Sequence, residues 1–190
     1  IESNNLCFKC LEEFATLIPK RYRNCSFDNF IVTENNKEAF EKSKEFLKNK
    51  RGLYLTGPVG CGKTHLAVCV AKELFFQKKE IIFTTLSEIL LQIRESFRHS
   101  WSENDIINEY ASVDYLILDD FGTQKQSEFN IETIYLLIDR RYREAKDKLL
   151  ITSNLNLAEL AMLTGDRIAS RIASMCDVVR IEDTDRRIKK

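Results

Sequence analysis

The sequence predicts an α/β fold, a three-layer α/β/α sandwich with a five-stranded parallel sheet. Five short apolar runs alternate along the chain with segments whose apolar residues recur at helical spacing. Within the runs, polar and apolar residues do not alternate, which is typical of parallel strands that helices cover on both faces. The predicted strands are residues 53–56, 81–84, 115–118, 149–152 and 178–181.

Six segments around these runs are predicted to be helical. Their positions are the stretch between Asn36 and Gly52, residues 65–76, 86–97, a short stretch after Ser102, residues 130–144 and residues 167–174. Ser102 is suited to cap the short helix. The longest helix is predicted to bury one side, which carries Ile131, Ile134, Tyr135, Leu137, Ile138 and Tyr142.

The chain has 190 residues, a length that suits one domain with a sizeable core. We assign residues 25–190 to this domain. Residues 1–24 are predicted to be a leader, the end of a truncated N-terminal module, because the first residue is Ile1 rather than a methionine. No apolar run approaches the roughly 20 residues that span a bilayer, and no signal peptide is recognisable. The sequence therefore predicts a cytoplasmic protein without a membrane partner.

The 29 basic and 29 acidic side chains balance, so any contact with nucleic acid must be made by a local surface. Among the six cysteines, Cys7 and Cys10 have the spacing of zinc ligands. A structural zinc site needs four ligands, so this pair is half a site. Two interpretations stay open: two reduced thiols, which we favour, or part of a zinc site whose other ligands lie upstream.

Residues 57–64 fit the pattern G-x-x-x-x-G-K-[ST] between the first predicted strand and a helix. Glycines in such a loop let backbone N–H groups turn toward phosphates, the helix presents its N-terminus to the anion, and the lysine adds positive charge. The pattern predicts a nucleoside triphosphate site. The residues expected to bind the nucleotide are Gly57, Pro58, Val59, Gly60, Cys61, Gly62, Lys63, Thr64 and His65.

Two carboxylates, Asp119 and Asp120, follow the third predicted strand. Nucleotide hydrolysis requires a metal held by an acidic residue at a strand end and a group that orients the attacking water. Asp119 is therefore expected to bind Mg²⁺ together with the Thr64 hydroxyl, and Asp120 to activate the water. Asn154 ends the fourth strand, where a polar residue can sense the γ-phosphate. No N-K-x-D motif follows, which favours ATP over GTP.

In this order, the motifs resemble those of AAA+ ATPases and, more narrowly, of bacterial replicative helicase loaders of the DnaC/DnaI type. The resemblance covers residues 20–190 and rests on the segments 57–67, 116–122, 151–154, 167–172 and 181–187. It implies that Asn154 is the first sensor and that Arg187 is the second. It also implies that Arg171, with Arg167 as the fallback, is an arginine finger that completes the ATP site of a neighbouring subunit.

The resemblance further implies ATP and Mg²⁺ as cofactors, self-association through the ATP site, and a hexameric replicative helicase that is delivered onto single-stranded DNA. Because the chain ends soon after the fifth predicted strand, we expect an AAA+ core without a helical lid domain, as in these loaders. One departure is an Asp-Asp pair where most AAA+ proteins carry Asp-Glu. The part that binds the helicase in these loaders precedes the ATPase domain.

In initiator-type AAA+ proteins, helices between the second and third strands line a path for single-stranded DNA. Here those helices carry Arg94 and Arg98 near aromatic residues, a combination that suits phosphates and stacked bases. The alternative is that the aromatic side chains belong to the core. Two other functions also stay open: a transposition helper ATPase of the IstB type, which shares these motifs, and a P-loop kinase that acts on a small molecule.

Overall fold

The computed structural model describes residues 18–96, 102–123 and 127–185. Its five strands form one sheet in the order β2-β3-β4-β1-β5, and every neighbouring pair is parallel. The strands are β1 (Gly52–Thr56), β2 (Ile81–Thr85), β3 (Tyr115–Phe121), β4 (Leu149–Ser153) and β5 (Cys176–Arg180). The predicted five-stranded parallel sheet is therefore confirmed, with each strand within a few residues of its expected position.

Seven α-helices connect or flank these strands in the described part of the chain. They are α1 (Lys37–Phe46), α2 (Lys63–Phe76), α3 (Leu86–Ser96), α4 (Glu103–Ser112), α5 (Glu128–Arg143), α6 (Leu157–Thr164) and α7 (Asp166–Met175). Two short 3₁₀ helices, Lys20–Tyr22 and Phe27–Asn29, precede α1. Ser102 caps α4 as predicted, because its hydroxyl accepts a hydrogen bond from the Asp105 amide.

Two hydrophobic cores lie on opposite faces of the sheet, which confirms the three-layer sandwich. Helices α1 and α2 cover one face, where Phe46 and Leu66 pack against Leu53 and Leu150. Helices α3 to α7 cover the other face. The buried side chains there include Tyr54, Leu86, Ile106, Leu118, Ile134, Ile151, Leu160 and Ile168. Since neighbouring residues of a strand point to opposite faces, Leu53 and Tyr54 belong to different cores.

Helix α6 was not predicted. It begins after Asn156, whose side chain accepts hydrogen bonds from the amides of Ala158 and Glu159, while the Glu159 carboxylate accepts one from the Asn156 amide. Leu160 is its one fully buried residue among those described. A single buried position gives no helical period, so hydrophobic spacing could not reveal this helix.

The buried side of α5 also differs from the prediction. Tyr142 is 46% exposed, whereas Asp139 and Arg141 are buried. The Arg141 guanidinium, fully buried, donates hydrogen bonds to five backbone carbonyls, those of Tyr110, Ala111, Val113, Asp114 and Lys148. Burial lowers the pKa of Arg141 to about 10, so the side chain is still charged at neutral pH. Arg141 can be buried because its guanidinium donates hydrogen bonds to carbonyl groups in the segments just before β3 and β4.

Part of the predicted leader packs on the domain. Ile18 is 2% exposed and lies in the core beneath α1 and α2, and Tyr22 packs against the same core. The boundary at residue 24/25 stays a prediction, although these two side chains pack in the core of the domain. Among the described residues, no helix is long and apolar enough to cross a membrane.

Candidate nucleotide-binding site

Strand order brings the predicted site residues to one edge of the sheet. Because β4 lies between β1 and β3, and all three strands run in the same direction, their C-terminal ends are neighbours. Ser153 pairs with Thr56 of β1 on one side and with Phe121 of β3 on the other. The phosphate loop follows β1, the acidic pair ends β3, and Asn154 follows β4. This is the edge at which open parallel sheets bind ligands.

The phosphate loop has the backbone that its glycines predict. Gly60 and Gly62 have φ angles of 77° and 108°, in the region that side chains with a Cβ rarely adopt. A Cβ atom at Gly62 would lie 2.9 Å from a ring carbon of Phe30, so the loop also packs closely on the segment before α1. Helix α2 begins at Lys63 and directs its N-terminus toward this loop.

The Lys63 ammonium group is buried among neutral oxygens. Nζ donates to the carbonyls of Gly57 at 2.8 Å and Pro58 at 2.7 Å, and to Asn154 Oδ1 at 2.9 Å. Lys63 is 5% exposed, and desolvation by burial lowers its pKa. No carboxylate forms an ion pair with it among the described residues, so the lysine has its positive charge available for an anion.

Thr64 and Asp119 meet at the predicted magnesium site. Thr64 Oγ1 donates to Asp119 Oδ1 at 3.0 Å, and Thr152 Oγ1 donates to the same oxygen at 2.6 Å. The 3.0 Å between Thr64 Oγ1 and Asp119 Oδ1 fits neighbouring ligands of an octahedral Mg²⁺, which are about 3.0 Å apart for bonds of about 2.1 Å. Asp119 is 6% exposed, and desolvation by burial raises its pKa. The donor set therefore suits a hard cation.

Asp120 is turned toward the cleft by an irregularity in β3. The pairing of β3 with β4 shifts between Leu118 and Phe121, and Asp120 has a φ of 53°. In a regular strand Asp119 and Asp120 would point to opposite faces. The left-handed residue lets Asp119 contact Thr64 while Asp120 lines the cleft. A non-glycine residue held in this conformation costs free energy and is enriched at functional sites.

Hydrogen bonds from the neighbouring strands fix the position of Asn154. Ser153 Oγ donates to the Phe121 carbonyl at 2.7 Å and accepts from the Leu155 amide at 3.1 Å. The Leu155 carbonyl accepts from Tyr54 Oη at 2.8 Å and from Thr56 Oγ1 at 2.9 Å. These contacts hold the turn that carries Asn154 against the ends of β1 and β3, within reach of Lys63.

The segment before α1 closes the other end of the cleft. His65 Nε2 lies 3.1 Å from the Ser26 carbonyl, and its ring packs edge-to-face on Phe30. Tyr22 lines the cleft beside Val59. An aromatic ring and an exposed valine at this position suit the flat, apolar face of a nucleobase.

The cleft unites most of the predicted nucleotide-binding residues. Its lining consists of Tyr22, Val59, Gly60, Gly62, Lys63, Thr64, His65, Asp120, Thr123 and Asn154. Gly57, Pro58 and the buried Cys61 belong to the loop but do not line the cleft. Sequence reasoning missed Tyr22, Thr123 and the Thr152 hydroxyl. Thr152 could have been predicted as a site residue, since it stands two residues before Asn154. Tyr22 is remote in sequence from the phosphate loop, and its basic neighbours are typical of a solvated surface.

The remaining predicted residues lie elsewhere. Arg171 projects from α7 onto α5 and does not line the cleft of its own chain. Arg94 is exposed on α3. Cys7, Cys10, Arg98 and Arg187 lie outside the described residues. Within the described ranges, no group of three or more His, Cys, Asp or Glu side chains is placed to hold a metal.

The raised pKa of Asp119 predicts a stability cost that is specific to the ligand-free site. At neutral pH the folded protein disfavours the ionised carboxylate, so Asp119→Asn should raise the free energy of unfolding. The gain should disappear as the pH falls through the folded-state pKa, because Asp119 then becomes protonated in the wild type. Urea unfolding over a pH series measures both effects.

With Mg²⁺ and a non-hydrolysable ATP analogue present, the order should reverse, because only the wild-type carboxylate binds the cation. The pH dependence separates a charge effect from a packing effect. An Asp119→Asn variant that is less stable than the wild type at neutral pH without ligand would contradict this account.

Comparison with known proteins extends over most of the chain. The family model for IstB-like ATP-binding proteins matches residues 20–190. The replicative helicase loader DnaC of Escherichia coli K12 is 30% identical over 179 residues, which cover 90% of this chain and 73% of that protein. DnaC of Buchnera aphidicola subsp. Baizongia pistaciae is 31% identical over 162 residues, 82% of this chain and 65% of that protein. The resemblance to helicase loaders is thus confirmed.

Solved structures agree with the fold. A crystal structure of the DnaC helicase loader superposes with a TM-score of 0.74 and 26% identity, covering 86% of this chain and all of that one. The replication initiator DnaA bound to AMPPCP and single-stranded DNA gives a TM-score of 0.75 and 27% identity over 88% of this chain. The match spans about half of that initiator, 51%. By sequence and by fold, the chain belongs to the family of IstB-like ATP-binding proteins.

Proposed function

We propose that this protein is an ATP-hydrolysing AAA+ helicase loader, which delivers a hexameric replicative helicase onto single-stranded DNA. One observation carries the proposal: the similarity to the DnaC loader spans 90% of the chain. A shared phosphate loop alone would give a much shorter match. The similarity therefore extends over the helices outside the cleft.

The geometry of the cleft supports ATP hydrolysis. The loop amides and Lys63 would bind the phosphates, and Thr64 with Asp119 would hold Mg²⁺, which neutralises charge on the phosphate oxygens. Asp120 would accept a proton from the attacking water as the water oxygen bonds to the γ-phosphorus and the bond from that phosphorus to the β-γ bridging oxygen breaks, which yields ADP and phosphate. Asn154, whose Oδ1 lies 2.9 Å from Lys63 Nζ, would contact the γ-phosphate.

Tyr22 extends this assignment to the nucleobase. Its side chain lines the same cleft as Lys63 and Val59. Bases stack on aromatic rings with little dependence on sequence, so this contact adds affinity for the nucleoside. It also couples the segment before α1 to the nucleotide.

Assembly is proposed to complete the site. Positive charge at the transition state is supplied by Arg187 of the same chain and by Arg171 of a neighbouring subunit, an arrangement that makes hydrolysis depend on self-association. One feature supports the trans role of Arg171: it lies on α7 and does not line the cleft of its own chain.

A transposition helper ATPase of the IstB type is the second candidate, and the matching family model favours it. The two functions differ in partner. Isolation of the full-length native protein with its cellular partners, in the presence of ATP, should recover the hexameric replicative helicase. Recovery of a transposase without the helicase would reject the loader function and support the alternative.

Two substitutions should separate nucleotide binding from assembly-dependent hydrolysis. Lys63→Ala removes charge-assisted hydrogen bonds to phosphate and should weaken ATP affinity about 10- to 100-fold. Arg171→Ala should bind ATP normally but lose the hydrolysis that rises with protein concentration. Fluorescent-nucleotide titration and steady-state turnover over a concentration series measure these effects.

Arg167→Ala is the matched control for Arg171. If Arg167→Ala alone abolishes the concentration-dependent turnover, the finger role passes to Arg167. Wild-type turnover in both variants would exclude an arginine finger on α7.

Single-stranded DNA is proposed to bind along α3, where Arg94 is exposed. Replacing Arg94 and Arg98 by glutamine should weaken binding and lower the slope of log affinity against log salt by about 1.4, for two phosphate contacts. The control is Arg180→Gln, because Arg180 is 66% exposed on β5, at the opposite edge of the sheet from β2. Unchanged affinity of the double variant across the salt series would remove this surface from the DNA path.

A further inference from the structure

The Arg171 guanidinium is engaged within its own subunit. Its Nη2 lies 2.5 Å from Asp139 Oδ1 and donates to Tyr135 Oη at 3.3 Å, while Nη1 donates to the Arg167 carbonyl at 3.4 Å. The group also lies over two aromatic rings, with 5.0 Å to the centroid of Tyr135 and 5.6 Å to that of Tyr142. Only 20% of the side chain is exposed. Helix α5 therefore holds the side chain that is expected to act on a neighbour.

While these contacts are in place, Arg171 does not present two free N–H donors to a phosphate. A guanidinium binds a phosphoryl group best through two parallel N–H bonds from one edge. In Arg171, Nη2 is committed to Asp139 and Tyr135, and Nε is buried without a hydrogen-bond partner among the described residues. Arg171 must therefore leave Asp139 before it can present two donors to a phosphate.

Asp139 has a second cation that makes this departure feasible. Arg143, one turn further along α5, places Nε 2.7 Å from Asp139 Oδ2. The Asp139 side chain is 9% exposed, so loss of all its partners would leave a nearly buried carboxylate unpaired, which is strongly unfavourable. Arg143 stays when Arg171 leaves. Its own side chain is 70% exposed, so it pairs with Asp139 without being locked in the core.

We propose that Asp139 and Arg143 are positioning residues that set the assembly threshold for ATP hydrolysis. Asp139 retains Arg171 in the isolated subunit, and Arg143 stabilises Asp139 once Arg171 has moved to the phosphate of a neighbour. This inference rests on the proposed trans role of Arg171. In the isolated subunit the Asp139 carboxylate contacts both arginines. When Arg171 binds a neighbouring nucleotide, Asp139 stays paired with Arg143 alone.

The two residues should have opposite effects, because one opposes the release of Arg171 and the other favours it. Asp139→Asn keeps the shape and a hydrogen-bond acceptor but removes the charge. It should lower the protein concentration at half-maximal turnover about fivefold, the change expected for one partly exposed ion pair. Arg143→Gln leaves Arg171 as the cation paired with Asp139 and should raise that concentration by about the same factor.

The experiment measures steady-state ATP hydrolysis of the full chain over a protein concentration series, with nucleotide affinity and thermal unfolding recorded for each variant. A purely structural role would move both variants in the same direction, together with their unfolding temperature. In the double variant, Arg143→Gln should add nothing to Asp139→Asn, because Arg143 acts through the Asp139 charge. Asp166→Asn, an exposed carboxylate on α7, is the control and should leave the threshold unchanged.

Arg171→Ala separates the failure of this inference from that of the proposed function. If Arg171→Ala abolishes concentration-dependent hydrolysis while Asp139→Asn behaves as the wild type, the restraint is wrong and the arginine finger stands. A raised threshold in Asp139→Asn would mean that Asp139 presents Arg171 instead of restraining it, which overturns the proposal. If Arg171→Ala hydrolyses ATP normally, both ideas fall.

Discussion

The Thr152 hydroxyl is the contact on which the geometry of the nucleotide site depends. From β4 it donates to Asp119 Oδ1 at 2.6 Å and accepts from the Asp120 amide at 3.0 Å, so one group fixes both carboxylates of β3. From α2, Thr64 donates a hydrogen bond to Asp119 and Lys63 donates one to Asn154. The ends of β3 and β4 and the start of α2 are thereby joined in a closed ring of hydrogen bonds and short chain segments. A closed ring holds its members in place better than isolated contacts, because none can move without breaking a bond elsewhere.

Within this ring the two buried charges are not paired with each other. Lys63 donates to carbonyl and amide oxygens, and the Asp119 Oδ1 atom accepts from two hydroxyls. Burial disfavours both charged forms, which lowers the pKa of Lys63 and raises that of Asp119. A structural ion pair would have brought the two groups together. Their separation is typical of a site in which each charge has its own partner to bind, a phosphate for Lys63 and a divalent cation for Asp119.

Sequence patterns predicted the features that depend on residues close together in the chain. The strands, the phosphate loop and the acidic pair follow from apolar runs and from motifs that must be contiguous to work. Residues whose role depends on packing between distant segments were not predictable. Tyr22 reaches the cleft because Ile18 anchors the segment before α1, and Asp139 meets Arg171 because α5 packs on α7. Tyr142 was placed in the core because apolar spacing ignores what a buried polar side chain, such as Arg141, gains from carbonyl partners.

Arg141 and Arg171 show how the partners of a cation decide whether it is fixed or exchangeable. Arg141 is fully buried and donates to five main-chain carbonyls, which cannot move without disturbing β3 and β4. Its removal would leave several buried acceptors unsatisfied at once. Arg171 relies mainly on one carboxylate, and that carboxylate already has Arg143 as a second partner. The cost of moving Arg171 is therefore limited to one ion pair, two long hydrogen bonds and two ring contacts, an amount that contacts with a neighbouring subunit and its nucleotide can offset.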